Sequence, residues 1–181
     1  AQLESREKIY IALNKPRGLV TTASDEKGRE TVFKCFEGKG LPHIFPVGRL
    51  DKGSEGLLFF TNDTSWGNII TAPETGIEKT YHVQINIPSA AGITGKILNG
   101  IVTDEGKLEV VSIRELRAGS KNCWVEIILK EGKNRHIRRI FEALGIEVLR
   151  LVRIKIGSVE LGSLAKGDFR FLSPVETESF N

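Results

Sequence analysis

The alternation of apolar and polar residues predicts a protein built mainly from strands. From Tyr81 to Ile87 every second residue is apolar and the residues between are polar, which is typical of a strand buried on one face. Shorter runs that are apolar throughout predict strands buried on both faces. We predict strands at 8–13, 57–61, 79–87, 107–116, 123–129, 148–156 and 168–172, with 107–116 and 123–129 joined as a hairpin.

Helices are predicted where capping residues precede a helical pattern. The cluster 62–64, Asn-Asp-Thr, is a good helix start, and Asn134 can cap a helix that ends before Gly145. We expect residues 175–181 to form a loose tail. The predicted helices are 30–36, capped near Thr31, 64–71, 90–99, which Gly92 and Gly95 weaken, and 134–144.

These elements predict an α+β fold with a mixed, mostly antiparallel central sheet flanked by helices and loops. A chain of 181 residues can bury a core without disulfides or a structural metal. One domain, residues 1–181, is the simplest organisation, with two lobes that share a cleft as the alternative. No apolar run approaches the roughly 20 residues of a membrane helix, so we expect no membrane contact. We also expect the protein to be a monomer and to lie in the cytoplasm.

The cysteines and histidines indicate no metal site. Cys35 and Cys123 are far apart, and the three histidines are scattered, so the chain has neither the spacing of a zinc site nor a disulfide pattern. A reducing compartment is the natural interpretation. The chain also lacks the glycine fingerprints that cradle nucleotide phosphates, and we expect no cofactor.

The charge of the chain is unevenly distributed. The formal net charge is only +3, but residues 114–155 hold eleven Lys/Arg and five Glu, net +6, while the remainder nets −3. A basic segment of this kind is typical of a protein that binds a phosphate backbone. A solvated charged face explains the composition equally well.

The most unusual stretch is residues 45–63, in which two apolar pieces flank a loop with three glycines and four charges. Such a loop can present Arg49, Asp51 and Glu55 from a tightly bent backbone between rigid strands. A surface turn with solvated charges is the plainer alternative.

This loop resembles the signature of RNA pseudouridine synthases, in the RsuA-like branch that modifies ribosomal RNA. Further motifs similar to those of the family follow in the same order, and together they cover about residues 9–172. The similar segments are Asn14-Lys15-Pro16 with Gly18, Gly48-Arg49-Leu50-Asp51, Lys79-Thr80-Tyr81, the basic motif at 131–139, and Leu149 to Gly157.

The resemblance implies a pseudouridine synthase fold and the isomerisation of a specific uridine to pseudouridine without a cofactor. Asp51 then supplies the carboxylate that acts as nucleophile or base. Tyr81 would stack on the target uracil, and Leu151 would pack beneath the ring. We expect Lys133 to form an ion pair with Asp51, which would keep the carboxylate ionised; an ordinary phosphate contact is the alternative for Lys133.

The resemblance also implies RNA contacts and base flipping. Arg49 would fill the space that the flipped base leaves. Lys15 is expected to bind RNA, and Arg135, Arg138 and Arg139 are expected to lie on one side of the helix that starts near Asn134 and to contact phosphates. The partner implied is ribosomal RNA or a ribosomal assembly intermediate.

Two departures from the family pattern and two alternatives stay open. His136 and Lys133 stand where many relatives have Gln and Arg. The branch often carries a small N-terminal RNA-binding module of the S4 type, which we do not expect in this chain; because the chain starts at Ala1 and has no Met, such a module is either left out or lacking. The alternatives are a catalytically silent RNA-binding module and a glycoside hydrolase using Asp51 and Glu55.

Overall fold

The computed structural model describes residues 7–22 and 27–181. Residues 1–6, where we expect no S4-type module, and part of the polar loop before Gly28 lie outside this range. The strands are β1 (Tyr10–Lys15), β2 (Phe45–Val47), β3 (Glu55–Thr61), β4 (Lys79–Ile85), β5 (Ile101–Thr103), β6 (Gly106–Leu108), β7 (Ser112–Arg117), β8 (Cys123–Leu129), β9 (Val148–Ile156), β10 (Val159–Glu160) and β11 (Phe169–Phe171). The α-helices are α1 (Thr64–Thr71), α2 (Thr94–Leu98), α3 (His136–Ala143) and α4 (Pro174–Glu178), and short 3₁₀ helices cover Val32–Phe36 and Pro73–Thr75.

Nine of these strands form one sheet. Seven of them follow the order β11-β1-β3-β9-β4-β8-β7, and β2 pairs with β3 and β10 with β9. Every pairing in it is antiparallel except β3 with β9. Strands β5 and β6 form a separate hairpin. The predicted α+β class with a mixed, mostly antiparallel sheet is confirmed.

The core lies in three clusters around this sheet. One lies between β4, β8, β9 and the helices α2 and α3, where Val83, Val125 and Phe141 are fully buried. The β1–β3 half of the sheet is covered on both faces, by Val32 and Phe36 on one side and by α1 on the other. This double burial explains why residues 57–60 of β3 are all apolar while β4 alternates. No helix in the described part of the chain is long and apolar enough to cross a membrane.

Several predicted elements are confirmed in place. Asp63 caps α1 by accepting from the Trp66 amide at 3.2 Å, and β7 and β8 pair as the predicted hairpin. In β4, Tyr81 and Val83 are buried and His82 is half-buried, as the alternation predicts.

Four of the predicted elements differ from the structure in type, extent or capping residue. The 30–36 segment is a 3₁₀ helix, and Thr31 makes no side-chain cap. The 90–99 segment contains only the short α2, as its glycines allow. The 107–116 segment is interrupted, because β6 pairs with β5 whereas β7 pairs with β8. Asn134 does not cap α3. The N-cap residue is Arg135, whose backbone has the left-handed conformation.

The predicted loose tail is instead an anchored helix, α4. Ser173 and Glu176 form a capping box, and both oxygens of Glu176 accept from Arg170 at 2.8 Å. The Phe180 ring packs against Trp66 with centroids 5.9 Å apart. The prediction failed because it weighed only the polar composition of 175–181, whereas the capping box and a distant aromatic cluster hold the helix.

We expect Glu176→Gln to weaken the protein in a pH-dependent way. The hydrogen bonds from Arg170 lower the pKa of Glu176 from 4.5 to about 2, so its stabilisation is fully present above the unfolded-state pKa and is lost as the pH falls towards 2. Urea unfolding from pH 3 to 7 should show a deficit of about 1–2 kcal/mol at pH 6 that shrinks below pH 4.5. The exposed Glu74→Gln is the control, and an equal deficit at pH 3 and pH 6 would contradict the assignment.

Candidate functional site

A cavity of about 470 Å³ opens where the two halves of the sheet meet, a volume within the range of about 300–1,000 Å³ that is common for small-molecule sites. Its wall is formed by the loop between β2 and β3, by β4 and β9, and by the segment that leads from β8 into α3. The lining residues on which the argument depends are Arg49, Asp51, Tyr81, Lys133, Arg138 and Leu151.

Asp51 lies in the loop between β2 and β3, and its side chain is one-third exposed. The Asp51 carbonyl accepts from the Ser54 amide at 2.9 Å, which closes a tight turn. On the other side, Leu50 is buried, and its backbone carbonyl accepts from the Thr21 hydroxyl at 2.8 Å. The carboxylate is therefore presented to the cavity from a loop held at both of its ends.

Lys15 holds this loop from beneath and does not reach the surface. It is fully buried at the end of β1, and its ammonium donates to the carbonyls of Ser54 at 2.7 Å, Pro16 at 3.1 Å and Lys52 at 3.3 Å. Burial lowers its pKa to about 8, against the pull of Glu55 and Asp51. The expected RNA contact of Lys15 stays a prediction, and in this structure the side chain is buried and donates to three carbonyls instead.

Arg138 is the cation that faces Asp51. Its Nε lies 4.0 Å from Oδ2 of Asp51, and its Nη2 donates to the Ser54 hydroxyl at 3.2 Å. The side chain is only 18% exposed, so the charge acts with less screening than a surface arginine would. The Asp51 carboxylate therefore faces a guanidinium that is itself mostly buried.

The ion pair predicted between Lys133 and Asp51 is not formed. The Lys133 ammonium donates to the Lys107 carbonyl at 3.0 Å and lies 3.8 Å from Glu131. Arg135, two residues after Lys133, has a left-handed backbone conformation with φ 50°. The helix α3 begins directly after it and turns one of its sides towards the Asp51 loop. Arg138 stands on that side, and Lys133 stays at the rim of the cavity.

Two of the three arginines of the basic motif share one side as predicted, because Arg135 and Arg138 both line the cavity, whereas Arg139 does not. Arg135 is outside the helix and pairs with Glu142 at 2.6 Å, whereas Arg139 pairs with Glu105 of the β5–β6 hairpin at 3.1 Å. The prediction started the helix at Asn134, whereas Arg135 is the left-handed N-cap residue of α3, with its carbonyl accepting from the Arg139 amide at 2.8 Å. Arg49 is exposed, lines the cavity and has no hydrogen bond or ion pair with the rest of the described chain.

Tyr81 and Leu151 form the apolar wall of the cavity. They lie on the neighbouring strands β4 and β9, and each is less than 10% exposed. Glu55 is not part of this wall: it is 2% exposed and binds Arg150 at 2.9 Å and Lys166 at 2.8 Å. It is therefore not available as the second carboxylate that a glycoside hydrolase would need beside Asp51.

Two residues of the cavity wall were missed by the sequence analysis as site residues. Arg153 shares its strand side with Leu151 and is 6% exposed, and Lys79 begins β4. Both line the cavity. Arg153 could have been found from the sequence, because it is a charged residue at an inward position of an alternating strand. It was counted only as part of the motif from Leu149 to Gly157 and not considered separately.

Comparison with known proteins gives consistent matches over nearly the whole chain. The family model described as RNA pseudouridylate synthase matches residues 9–143. The chain is 36% identical over 180 residues to ribosomal large subunit pseudouridine synthase B of Bacillus subtilis, covering 98% of this chain and 73% of that protein. It is 38% identical over 159 residues to an uncharacterized RNA pseudouridine synthase of Rickettsia typhi, covering 88% of this chain and 64% of that protein.

Solved structures resemble this fold as well. A crystal structure described as a pseudouridylate synthase superposes with a TM-score of 0.84 at 32% identity, covering 97% of this chain and 74% of the other. The archaeal box H/ACA sRNP Nop10-Cbf5 complex gives a TM-score of 0.61 at 17% identity, covering 82% and 48%. The second similarity concerns the fold alone.

We expect Lys15→Met to destabilise the protein by about 2–4 kcal/mol, because the substitution leaves three loop carbonyls without their charged donor. Chemical unfolding at pH 7 measures the loss. Lys34→Met removes an exposed lysine that pairs with Glu30 and should leave the unfolding midpoint near that of the wild type. Equal effects of the two substitutions would refute the anchoring role of Lys15.

Proposed function

Because the chain belongs to the RNA pseudouridylate synthase family, in its RsuA-like branch, we propose that it converts a specific uridine of ribosomal RNA into pseudouridine. The observation that carries the proposal is the juxtaposition of Asp51 with Arg138 at a cavity walled by Tyr81 and Leu151. The name of the Bacillus relative favours RNA of the large ribosomal subunit. Free RNA and an assembling particle are both compatible with the site.

The reaction breaks the bond from ribose C1′ to uracil N1 and makes a bond from C1′ to C5. The C5 proton leaves and N1 gains a proton, so the product is an isomer of the substrate and no redox partner is needed for the balance. Asp51 supplies the anionic oxygen, as a nucleophile at the sugar or as a base towards it. In both roles the carboxylate acts as an anion, and the Arg138 guanidinium lies beside it with Nε 4.0 Å from Oδ2.

The apolar wall suits a uracil ring. The Tyr81 ring can stack on the base while Leu151 packs against it, and both are held in neighbouring strands. A rigid wall on one side and Asp51 on the other would hold the sugar edge near the carboxylate, which is how positioning contributes to rate. A uridine paired or stacked in RNA must be flipped to enter such a site.

The rim supplies the contacts for the rest of the RNA. Arg49 is free to enter the space of a flipped base, and Arg135 and Lys133 are exposed beside the opening. We assign them to phosphates. Arg139 is mostly buried in its contact with the β5–β6 hairpin. We therefore propose that Arg139 holds this hairpin in place and does not bind RNA directly.

Incubation with unmodified large-subunit ribosomal RNA tests the proposal, with pseudouridine mapped by carbodiimide treatment and reverse transcription. Asp51→Asn keeps the shape of the side chain and removes its charge, so we expect at least about a 10³-fold loss of rate with RNA binding retained. If wild type and Asp51→Asn both bind the RNA equally and leave it unchanged, the protein is a silent RNA-binding module.

Arg138 and Lys133 make a matched pair for the electrostatic argument. We expect Arg138→Met to lower kcat by about 10²-fold or more, as for the loss of one preorganised charge, and Lys133→Met to raise KM with little change in kcat. Single-turnover rates at saturating enzyme separate the two effects. A larger loss of kcat in Lys133→Met than in Arg138→Met would restore Lys133 as the partner of Asp51.

A further inference from the structure

Arg153 carries more hydrogen-bond donors than the surrounding protein uses. Its Nε donates to the Leu57 carbonyl at 2.8 Å, but Nη2 is buried and has no acceptor among the described residues. A buried donor without a partner is costly and rare in folded proteins. Arg153 lines the cavity, so a molecule that fills the cavity and carries an acceptor to the guanidinium would satisfy this donor.

The neighbouring Lys79 points to the same conclusion. It lines the cavity too, and its ammonium has no hydrogen bond or ion pair in the part of the chain that the structure describes. Burial lowers the pKa of Lys79, and repulsion from Arg153 lowers it further. The inner wall of the cavity thus holds two cationic groups and offers an oxygen acceptor a favourable place.

The position of Arg153 selects the kind of oxygen. Arg153 is directly opposite Tyr81 in the pairing of β4 with β9, and it lies two residues from Leu151. A planar ring that lies along these two side chains brings its edge to Arg153. The exposed Arg49 and Arg135 at the rim are better placed for the charged phosphates, which remain near water.

We infer that Arg153 donates to a carbonyl oxygen of the target uracil, an inference that rests on the proposed function. A guanidinium can only donate hydrogen bonds. It can therefore pair with the C4 carbonyl oxygen of uracil, but not with the C4 amino group of cytosine, which is itself a donor. A polar group left unpaired in this way is an effective means of rejecting the wrong substrate. The C2 carbonyl, which both bases share, is the other oxygen within this chemistry.

Arg153→Gln is the sharpest variant. Glutamine places its amide nitrogen at the chain position of the arginine Nε, so the bond to Leu57 can persist while both Nη atoms are removed. We expect a melting temperature near that of the wild type and a 10- to 100-fold loss of kcat/KM on uridine RNA. The control is Arg114→Gln on β7, an exposed arginine that does not line the cavity.

Substrates with sulfur in place of one carbonyl oxygen identify the contact. Synthetic RNA with uridine, 2-thiouridine or 4-thiouridine at the mapped position is assayed with wild type and Arg153→Gln. The sulfur that slows the wild type at least fivefold more than Arg153→Gln marks the oxygen that Arg153 binds. Equal slowing of both enzymes by both sulfurs, or a kcat/KM of Arg153→Gln equal to that of the wild type, overturns the inference while leaving the proposed function intact. A wild type that makes no pseudouridine overturns both.

Discussion

The close approach of β3 and β9 at Gly56 is the constraint on which the rest of the architecture depends. A Cβ atom at Gly56 would lie 2.2 Å from the Arg153 carbonyl oxygen, and the residue has a φ of +109°, so only glycine is accommodated there. The two strands pair through Glu55 with Val152 and Gly56 with Arg153. In the order of the sheet, this short parallel contact joins the half that carries Asp51 to the half that carries Tyr81 and α3.

Charged side chains gather at this joint and donate to backbone carbonyls around it. Lys15 takes up the carbonyls of the Asp51 loop, and Arg153 takes up that of Leu57. Burial would raise the pKa of Glu55, but hydrogen bonds from Arg150 and Lys166 hold it below its usual value. The cavity beside this joint has charged side chains in its wall, Asp51, Arg138 and Arg153 among them, next to the apolar Tyr81 and Leu151.

Much of the fold could be predicted from local pattern. The alternation in β4 reported directly which face would be buried, and the start of α1 followed from the side chain of Asp63. Predictions failed where the outcome depends on which partner a segment meets: β6 pairs with the preceding β5 and not with β8, and α4 is held by Arg170 and by the aromatic cluster around Trp66, which is far away in the chain. The capping box Ser173–Glu176 is visible in the local sequence, whereas the packing of Phe180 on Trp66 is not.

The sequence by itself determined most of the strands, their buried faces and the charged glycine loop that carries Asp51, because these depend on spacing and residue type over a few positions. Only the tertiary structure decided which cation meets that carboxylate. Lys133, Arg135 and Arg138 are equally basic on paper, but one left-handed residue before α3 turns Arg138 towards Asp51. The same holds for Lys15, whose burial follows from where β1 ends against Gly56, since the direction of a long side chain is set by the backbones that meet around it.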